Sequence, residues 1–336
     1  VIMALVLSTS PRHIDSLAVS EEGVIALAAS SLTGDVWDGE LILLRPAVRG
    51  ADCARPVYHD LTRSVTEAGN GAVAWVSASV VASGDDSGDV ALWHVPATSP
   101  ELSESPAADG EKAAAGWLPF AMYSEHEAAV SGLAVAAAGQ RIVSASLDGS
   151  AKVWCGGLQS AAAHTLVHVA ADAWCDVQVL GVGWCDAAAA QCVVSVADDG
   201  VARLWDLRAA SPLARSSACL RAPITCVATT AEEHTQLLGL QCGRVCVLDW
   251  RSSPEEMQEQ QLSTVAVRAV TPQRSASSPI GVAYDDGAVR VLGADLSVLA
   301  SVEGHTDTVC ALSWLGGDCT EIITGGAEQR LLRHEI

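Results

Sequence analysis

Three side chains in this sequence have the types and order of a nucleophilic machine: His126, Ser144 and Asp148. A histidine can take the proton of a serine hydroxyl, and a carboxylate can hold the imidazole in the tautomer that does so. On that reading Ser144 is the nucleophile, His126 its base and Asp148 the orienting acid. A second candidate is chemically simpler. Cys242 and Cys246 come closest to a ligand pair, although a metal site needs several ligands converging with defined geometry. A third concerns recognition. Trp37 lies in the run Ala29-Ser30-Ser31-Leu32-Thr33-Gly34-Asp35-Val36-Trp37-Asp38-Gly39-Glu40-Leu41, between two glycine-containing turns and away from the hydrophobic repeat. An aromatic at the tip of such a loop either anchors a partner or folds down on its own chain, and local chemistry does not separate the two.

The elements that must position these residues recur. Ala82–Trp93, Val143–Trp154 and Val194–Trp205 each read as strand, acidic Gly-containing turn, alternating apolar strand and Trp. Asp-Gly or Ser-Gly between apolar runs marks a hairpin, because Gly accepts positive φ and Asp bonds its own backbone. Such units at a period of roughly 40–50 residues are the signature of a WD-repeat β-propeller. In a WD blade, a His, a strand Ser, the turn Asp and the Trp form one buried hydrogen-bonded set. Here those are His126, Ser144, Asp148 and Trp154, with Ser195, Asp199 and Trp205 in the next copy and Trp93 in the one before. A buried indole N–H and a buried carboxylate both need partners, so the set explains all four residues where a triad explains three.

Counting the pattern gives an all-β chain of seven blades. The first spans about Ile14 to Arg45, the second Ala72–Val95, the third His126–Trp154 and the fourth Val177–Leu207. The fifth is degenerate, with strands at Ile224–Thr229, Leu237–Leu240 and Val245–Leu248. The sixth holds Val265–Val270, Ile280–Ala283 and Val289–Leu292, and the seventh opens at Gly304-His305 and ends in Arg330–His334. The fifth and seventh lack a clear terminal Trp, and His334 stands where one is expected. The apolar run Val1–Ser8 is expected to pair with the last blade and close the ring, leaving no open sheet edge. The whole of 1–336 is expected to be one propeller domain. The Pro-, Ser- and Glu-rich stretch 97–116 reads as a mobile loop between the second and third blades, and 252–261 as an acidic insertion after the fifth.

Composition narrows the function. The chain is 50% hydrophobic, and its apolar runs are strand-length, so no transmembrane helix and no membrane partner are expected. Its 11 cysteines include no Cys-x-x-Cys pair, and reduced buried thiols are the plain reading; no metal and no cofactor are expected. With 19 Lys and Arg against 40 Asp and Glu, the net charge is −21. A phosphate backbone needs a basic patch, so nucleic acid is not an expected partner. An acidic propeller suits basic partners, although charge of this kind also serves solubility alone.

The region Glu22–Leu44 resembles the first blade of the methylosome WD-repeat subunit family. The likeness is carried by Gly23, the apolar strand to Ala28, Ala29–Gly34, Trp37, Gly39 and Leu41. It continues through Val81-Ala82-Ser83, Asp86-Ser87-Gly88, Val90, Leu92 and Trp93, then Tyr123–His126, Val130-Ser131 and Ser297–Ala300. The WD features are shared by many scaffolds, and the first-blade run around Trp37 is the specific part. The resemblance implies a non-catalytic adaptor that docks on the N-terminal barrel domain of a type II, symmetric-dimethylating protein arginine methyltransferase. It implies a hetero-octamer of four chains each, with cytoplasmic and nuclear location. It puts Trp37 at the centre of the interface, with Leu32, Gly34, Asp35, Val36 and Asp38 around it. Substrates presented there would be histone tails and the Arg-Gly-rich tails of spliceosomal Sm proteins. The alternatives are another acidic WD scaffold, such as a histone-binding chromatin subunit or a ubiquitin-ligase substrate receptor, and an enzyme built on a propeller.

Overall fold

Alternating apolar runs separated by tight turns become antiparallel hairpins, and seven four-stranded sheets of them form a ring. The structure is a computed structural model. It describes residues 4–33, 36–46, 58–96, 117–136, 141–155, 161–169, 176–186, 189–253, 256–273, 279–316 and 320–336. The stretch 97–116, read above as a loop, lies outside them.

Blade 1 is β2 (His13–Val19), β3 (Ile25–Thr33), β4 (Val36–Pro46) and β5 (Tyr58–Thr66). Blade 2 is β6 (Asn70–Ser77), β7 (Val80–Asp85), β8 (Asp89–His94) and β9 (Ala121–Ser124). Blade 3 is β10 (Val130–Val135), β11 (Arg141–Ser146), β12 (Ser150–Cys155) and β13 (His164–Val167). Blade 4 is β14 (Val179–Trp184), β15 (Cys192–Ala197), β16 (Ala202–Asp206) and β17 (Leu213–Ser216). Blade 5 is β18 (Ile224–Thr229), β19 (Thr235–Leu240), β20 (Arg244–Asp249) and β21 (Gln258–Gln261). Blade 6 is β22 (Val267–Pro272), β23 (Ile280–Tyr284), β24 (Val289–Leu292) and β25 (Val298–Val302). Blade 7 is β26 (Val309–Leu315), β27 (Glu321–Gly326) and β28 (Arg330–Glu335), and its fourth strand is β1 (Ala4–Thr9), from the other end of the chain.

The first strand of each blade packs against the first strands of its neighbours, and β26 meets β2 to complete the circle. Each of these seven inner strands carries one extra residue near its start: Asp15, Gly71, Ser131, Leu180, Thr225, Arg268 and Cys310. A bulge sharpens the local twist and re-aims a side chain, so the same device repeats at one end of the central channel. Two further devices join neighbouring blades. Thr225 and Ser131 donate their hydroxyls to Val267 and Val179 carbonyls, at 2.5 and 2.6 Å. Trp75, Trp184 and Trp314 donate their indole N–H to the carbonyls of Ala18, Ala134 and Thr271 in the preceding inner strand. The core is divided into clusters whose members come from adjacent blades, such as Val143, Val179 and Trp184 between blades 3 and 4.

Two sequence expectations are corrected. Trp37 is not at a loop tip: β4 starts at Val36, so the residue sits within a strand opposite Leu32. Gln258–Gln261, read as part of an insertion, is the outer strand of blade 5. Its four residues are all exposed, so it has no alternation to betray it.

Candidate functional site

The suspected triad does assemble. His126 Nδ1 lies 2.9 Å from Asp148 Oδ2, and its Nε2 lies 2.7 Å from Ser144 Oγ. The Trp154 indole donates to the same Ser144 Oγ at 2.9 Å. These partners fix the hydrogen-bond directions: indole N–H to Ser144, Ser144 hydroxyl to Nε2, and Nδ1–H to the carboxylate. Burial lowers the His126 pKa, which keeps the ring neutral as this chain requires. The order of groups is that of a hydrolase, yet Ser144 is 0% exposed. Its oxygen accepts from the indole and no substrate carbonyl can approach it. This is a blade-core brace.

The brace recurs with altered members. In blade 2, Trp93 donates to Ser83 at 2.9 Å. In blade 4, Trp205 donates to Ser195 at 2.7 Å, and His168 Nε2 lies 2.6 Å from the same oxygen. There His168 Nδ1 accepts from Arg203, so the ring carries its proton on Nε2, the reverse of His126. Burial and the Arg203 charge push the His168 pKa down to about 3. Asp199 therefore reaches the histidine through Arg203, whose NH2 donates to it at 2.6 Å. Sequence reading missed His168 because it stands 27 residues before its serine, where His126 stands 18 before. In blade 7, His334 replaces the Trp and Thr324 the Ser, at 2.8 Å, with His305 Nε2 2.6 Å from Thr324 and its Nδ1 2.5 Å from Glu328. His334 Nδ1 is buried with no partner among the described residues, and burial lowers that pKa to about 4.

Blade 1 differs from all of these in its second hairpin. The β3–β4 ladder runs from Ile25↔Leu44 to Thr33↔Val36. In blade 2 the corresponding ladder ends at Gly84↔Val90, which matches Ala28↔Leu41 here. The first-blade hairpin thus overshoots by five residue pairs. Charge holds the extension upright. Arg12 grips Asp38 with Nε and NH2, at 3.2 and 2.8 Å, and reaches Glu40 with NH1 at 3.2 Å. Arg63 reaches the other Glu40 oxygen at 3.4 Å, and Ser31 donates to Asp38 at 2.6 Å. The Arg12 hydrogen bonds lower the Asp38 pKa to about 2. Gly39 is obligatory: a Cβ there would press into the Ala68 carbonyl, Thr66 Oγ1 and Asn70 Nδ2.

Trp37 is 46% exposed on this extension. Its indole N–H is donated to Asp86 Oδ2 in the turn of blade 2. It edges a cavity of about 310 Å³ at the channel mouth, lined by Asp15, Ser30, Gly71, Asp86, Arg268 and Cys310. Burial raises the pKa of Asp15 to about 6, with the Asp86 charge adding to it, and burial raises Asp86 as well. Arg268 is paired with Asp285 at 2.8 Å, so the mouth stays acidic. Of the residues assigned to the partner surface, Trp37 and Asp38 are placed side by side on β4. The strand pairing sets Leu32 opposite Trp37 and Val36 opposite Thr33, while Gly34 and Asp35 lie outside the described residues. Cys246 is buried in the core and Cys242 accepts from Arg244 Nε at 3.3 Å. Among the described residues, no group of three or more His, Cys, Asp or Glu is placed to hold a metal ion.

Comparison with known proteins agrees with this architecture. Residues 117–155, which hold β9 to β12, match the WD domain, G-beta repeat family. The chain is similar to methylosome protein WDR77 of Xenopus laevis, with 27% identity over 335 residues, covering 96% of this chain and 90% of that protein. The likeness to the methylosome WD-repeat subunit family, read from motifs between Gly23 and Ala300, is matched by similarity over nearly the whole length.

Proposed function

We propose that this chain is a non-catalytic WD-repeat adaptor of a protein arginine methyltransferase complex, and that its first-blade hairpin is the docking element. The observation that carries the proposal is the overshooting β3–β4 ladder, braced by Arg12 and presenting a half-exposed Trp37. Trp93, Trp154 and Trp205 are buried and serve the braces, whereas Trp37 is held where a partner can cover it. The partner is the N-terminal barrel domain of a symmetric-dimethylating methyltransferase, in an assembly of four chains of each kind, in cytoplasm and nucleus. The −21 charge suits the second task, gathering histone tails and Arg-Gly-rich Sm tails near the enzyme. That the Ser144 brace is sealed from solvent fits an adaptor better than a hydrolase.

The test is capture of the type II arginine methyltransferase of the same source. Wild type binds, and Trp37→Ala, still folded by circular dichroism, loses about 2 kcal/mol or more of affinity. A folded wild type that does not bind the enzyme removes the adaptor reading.

A further inference from the structure

Trp37 does not stand free, and the residue that holds it belongs to another blade. Asp86 accepts the indole N–H, and among the described residues its carboxylate caps no backbone N–H of its own turn. That turn is capped by Asp85, whose Oδ1 accepts from the backbone N–H of Ser87 at 3.0 Å and of Asp89 at 2.9 Å. The position that holds the turn acid in blades 3, 4 and 7 is here Ser87, four residues beyond Ser83 as Asp148 is beyond Ser144. The Asp86 carboxylate is therefore left over from the repeat and turned toward blade 1. A glycine makes room for the contact, since a Cβ on Gly69 would collide with both Trp37 Nε1 and Asp86 Oδ2. On the next residue, Asp38 is gripped by Arg12. The hairpin end is thus tied to β2's side by a guanidinium and across the channel mouth by a carboxylate.

We infer that Asp86 is a positioning residue for docking: it lays the Trp37 indole across the channel mouth before the partner arrives, so that the partner meets one platform made of blades 1 and 2. The inference rests on Trp37 being the anchor, as proposed above. Its physical basis is preorganisation. A side chain already fixed in its bound orientation loses less freedom on association, and a hydrogen bond to a carboxylate is among the stronger ways to fix one. The exposed part of the ring remains for the partner.

The experiment is a set of binding titrations with the full chain and the methyltransferase, accompanied by melting curves. Trp37→Ala loses binding by about 30-fold or more. Asp86→Ala weakens it by about 3- to 10-fold. Asp86→Asn, whose amide oxygen still accepts, recovers most of that loss and carries the test if Asp86→Ala melts early. Trp37→Phe keeps a ring without the N–H and matches Asp86→Ala. In the Trp37→Phe background Asp86→Ala has no added effect, a non-additivity that a general structural role for Asp86 would not produce. If Asp86→Ala binds as well as wild type or better while Trp37→Ala still fails, the indole leaves Asp86 on docking and the inference falls with the anchor intact. If Trp37→Ala binds normally, the anchor and the inference fall together.

Discussion

Blades 2, 3, 4 and 7 and blades 1, 5 and 6 fill the same core positions in opposite ways. In the first group a strand hydroxyl, Ser83, Ser144, Ser195 or Thr324, meets an N–H from Trp93, Trp154, Trp205 or His334. In the second group the matching pairs are Leu27 with Leu44, Leu238 with Leu248 and Val282 with Leu292, all buried. No described blade mixes the two, with an apolar residue on one strand and an indole on the other. The reason is the asymmetry of buried hydrogen bonds: losing one partner strands the other, while replacing both with apolar groups is close to neutral. The pair therefore changes as a unit. What resembles a catalytic triad in blade 3 is the fullest member of a graded series that ends in leucine.

The sharpest way to break this comparison is at its largest member. Trp154→Ala removes the ring and leaves Ser144 without its donor, and is expected to cost about 3–5 kcal/mol in urea unfolding. A loss below about 1 kcal/mol would mean that the brace is ornamental.

Blade 7 gives the next effect. His334 has a folded pKa of about 4, below the unfolded value near 6.5. The unfolded chain thus takes the proton first. Its contribution is complete above about pH 6.5 and is lost as pH falls toward 4, by at most about 3 kcal/mol. His168, His126 and His305 are lowered as well and act in the same direction. Asp15, raised to about 6, acts oppositely: its folded form takes up a proton more readily and favours the fold as pH drops. Converting blade 7 to the apolar type with Thr324→Val and His334→Leu, in an Asp15→Asn background, should flatten the slope of stability between pH 6.5 and 4. An unchanged slope would place the titration elsewhere.

The smallest effect tests the unit rule itself. In blade 2, Ser83→Val strands the Trp93 N–H, and adding Trp93→Leu reproduces the blade 6 pair. The second change should be less costly in the Ser83→Val background than in wild type, by about 1 kcal/mol. Simple additivity would refute coupling between the two positions.

Much of this was legible because blades 2, 3 and 4 each announce themselves twice, by a Gly-containing turn and by a Trp. The Asp-Gly and Ser-Gly turns are real, and Gly88, Gly149, Gly200, Gly243 and Gly287 all adopt the positive φ that the turn demands. In blade 7 the place falls to Gln329, also at positive φ, which is why the last turn reads poorly. Trp154 led to His126, Ser144 and Asp148 by the need to satisfy an indole, and the absence of a Trp at 334 was visible. Outer strands were not legible: β17 and β21 are exposed throughout and show no period. The inter-blade tryptophans were missed because their partners are carbonyls, which any residue supplies. Trp37 stood out in the sequence, but its setting did not. Glycine and acid around it suggested a loop, whereas the strand is held by Arg12 and Asp86 from distant parts of the chain.

Strand β1 pairs with β28 from Ala4↔His334 to Thr9↔Arg330, so the seam of the ring joins the two ends of the sequence. A ribosome making this chain releases β1 first and β28 last. The first strand has to wait unpaired, with Leu5 and Val6 open to other chains, until β28, more than 300 residues later, has emerged. Contacts of such high sequence separation form late and slowly. The interval before closure is when misassembly and holding by chaperones have their opportunity. Once closed, the ring can open at this seam only by undoing a full ladder, so its lifetime is governed by an unfolding rate as much as by an equilibrium.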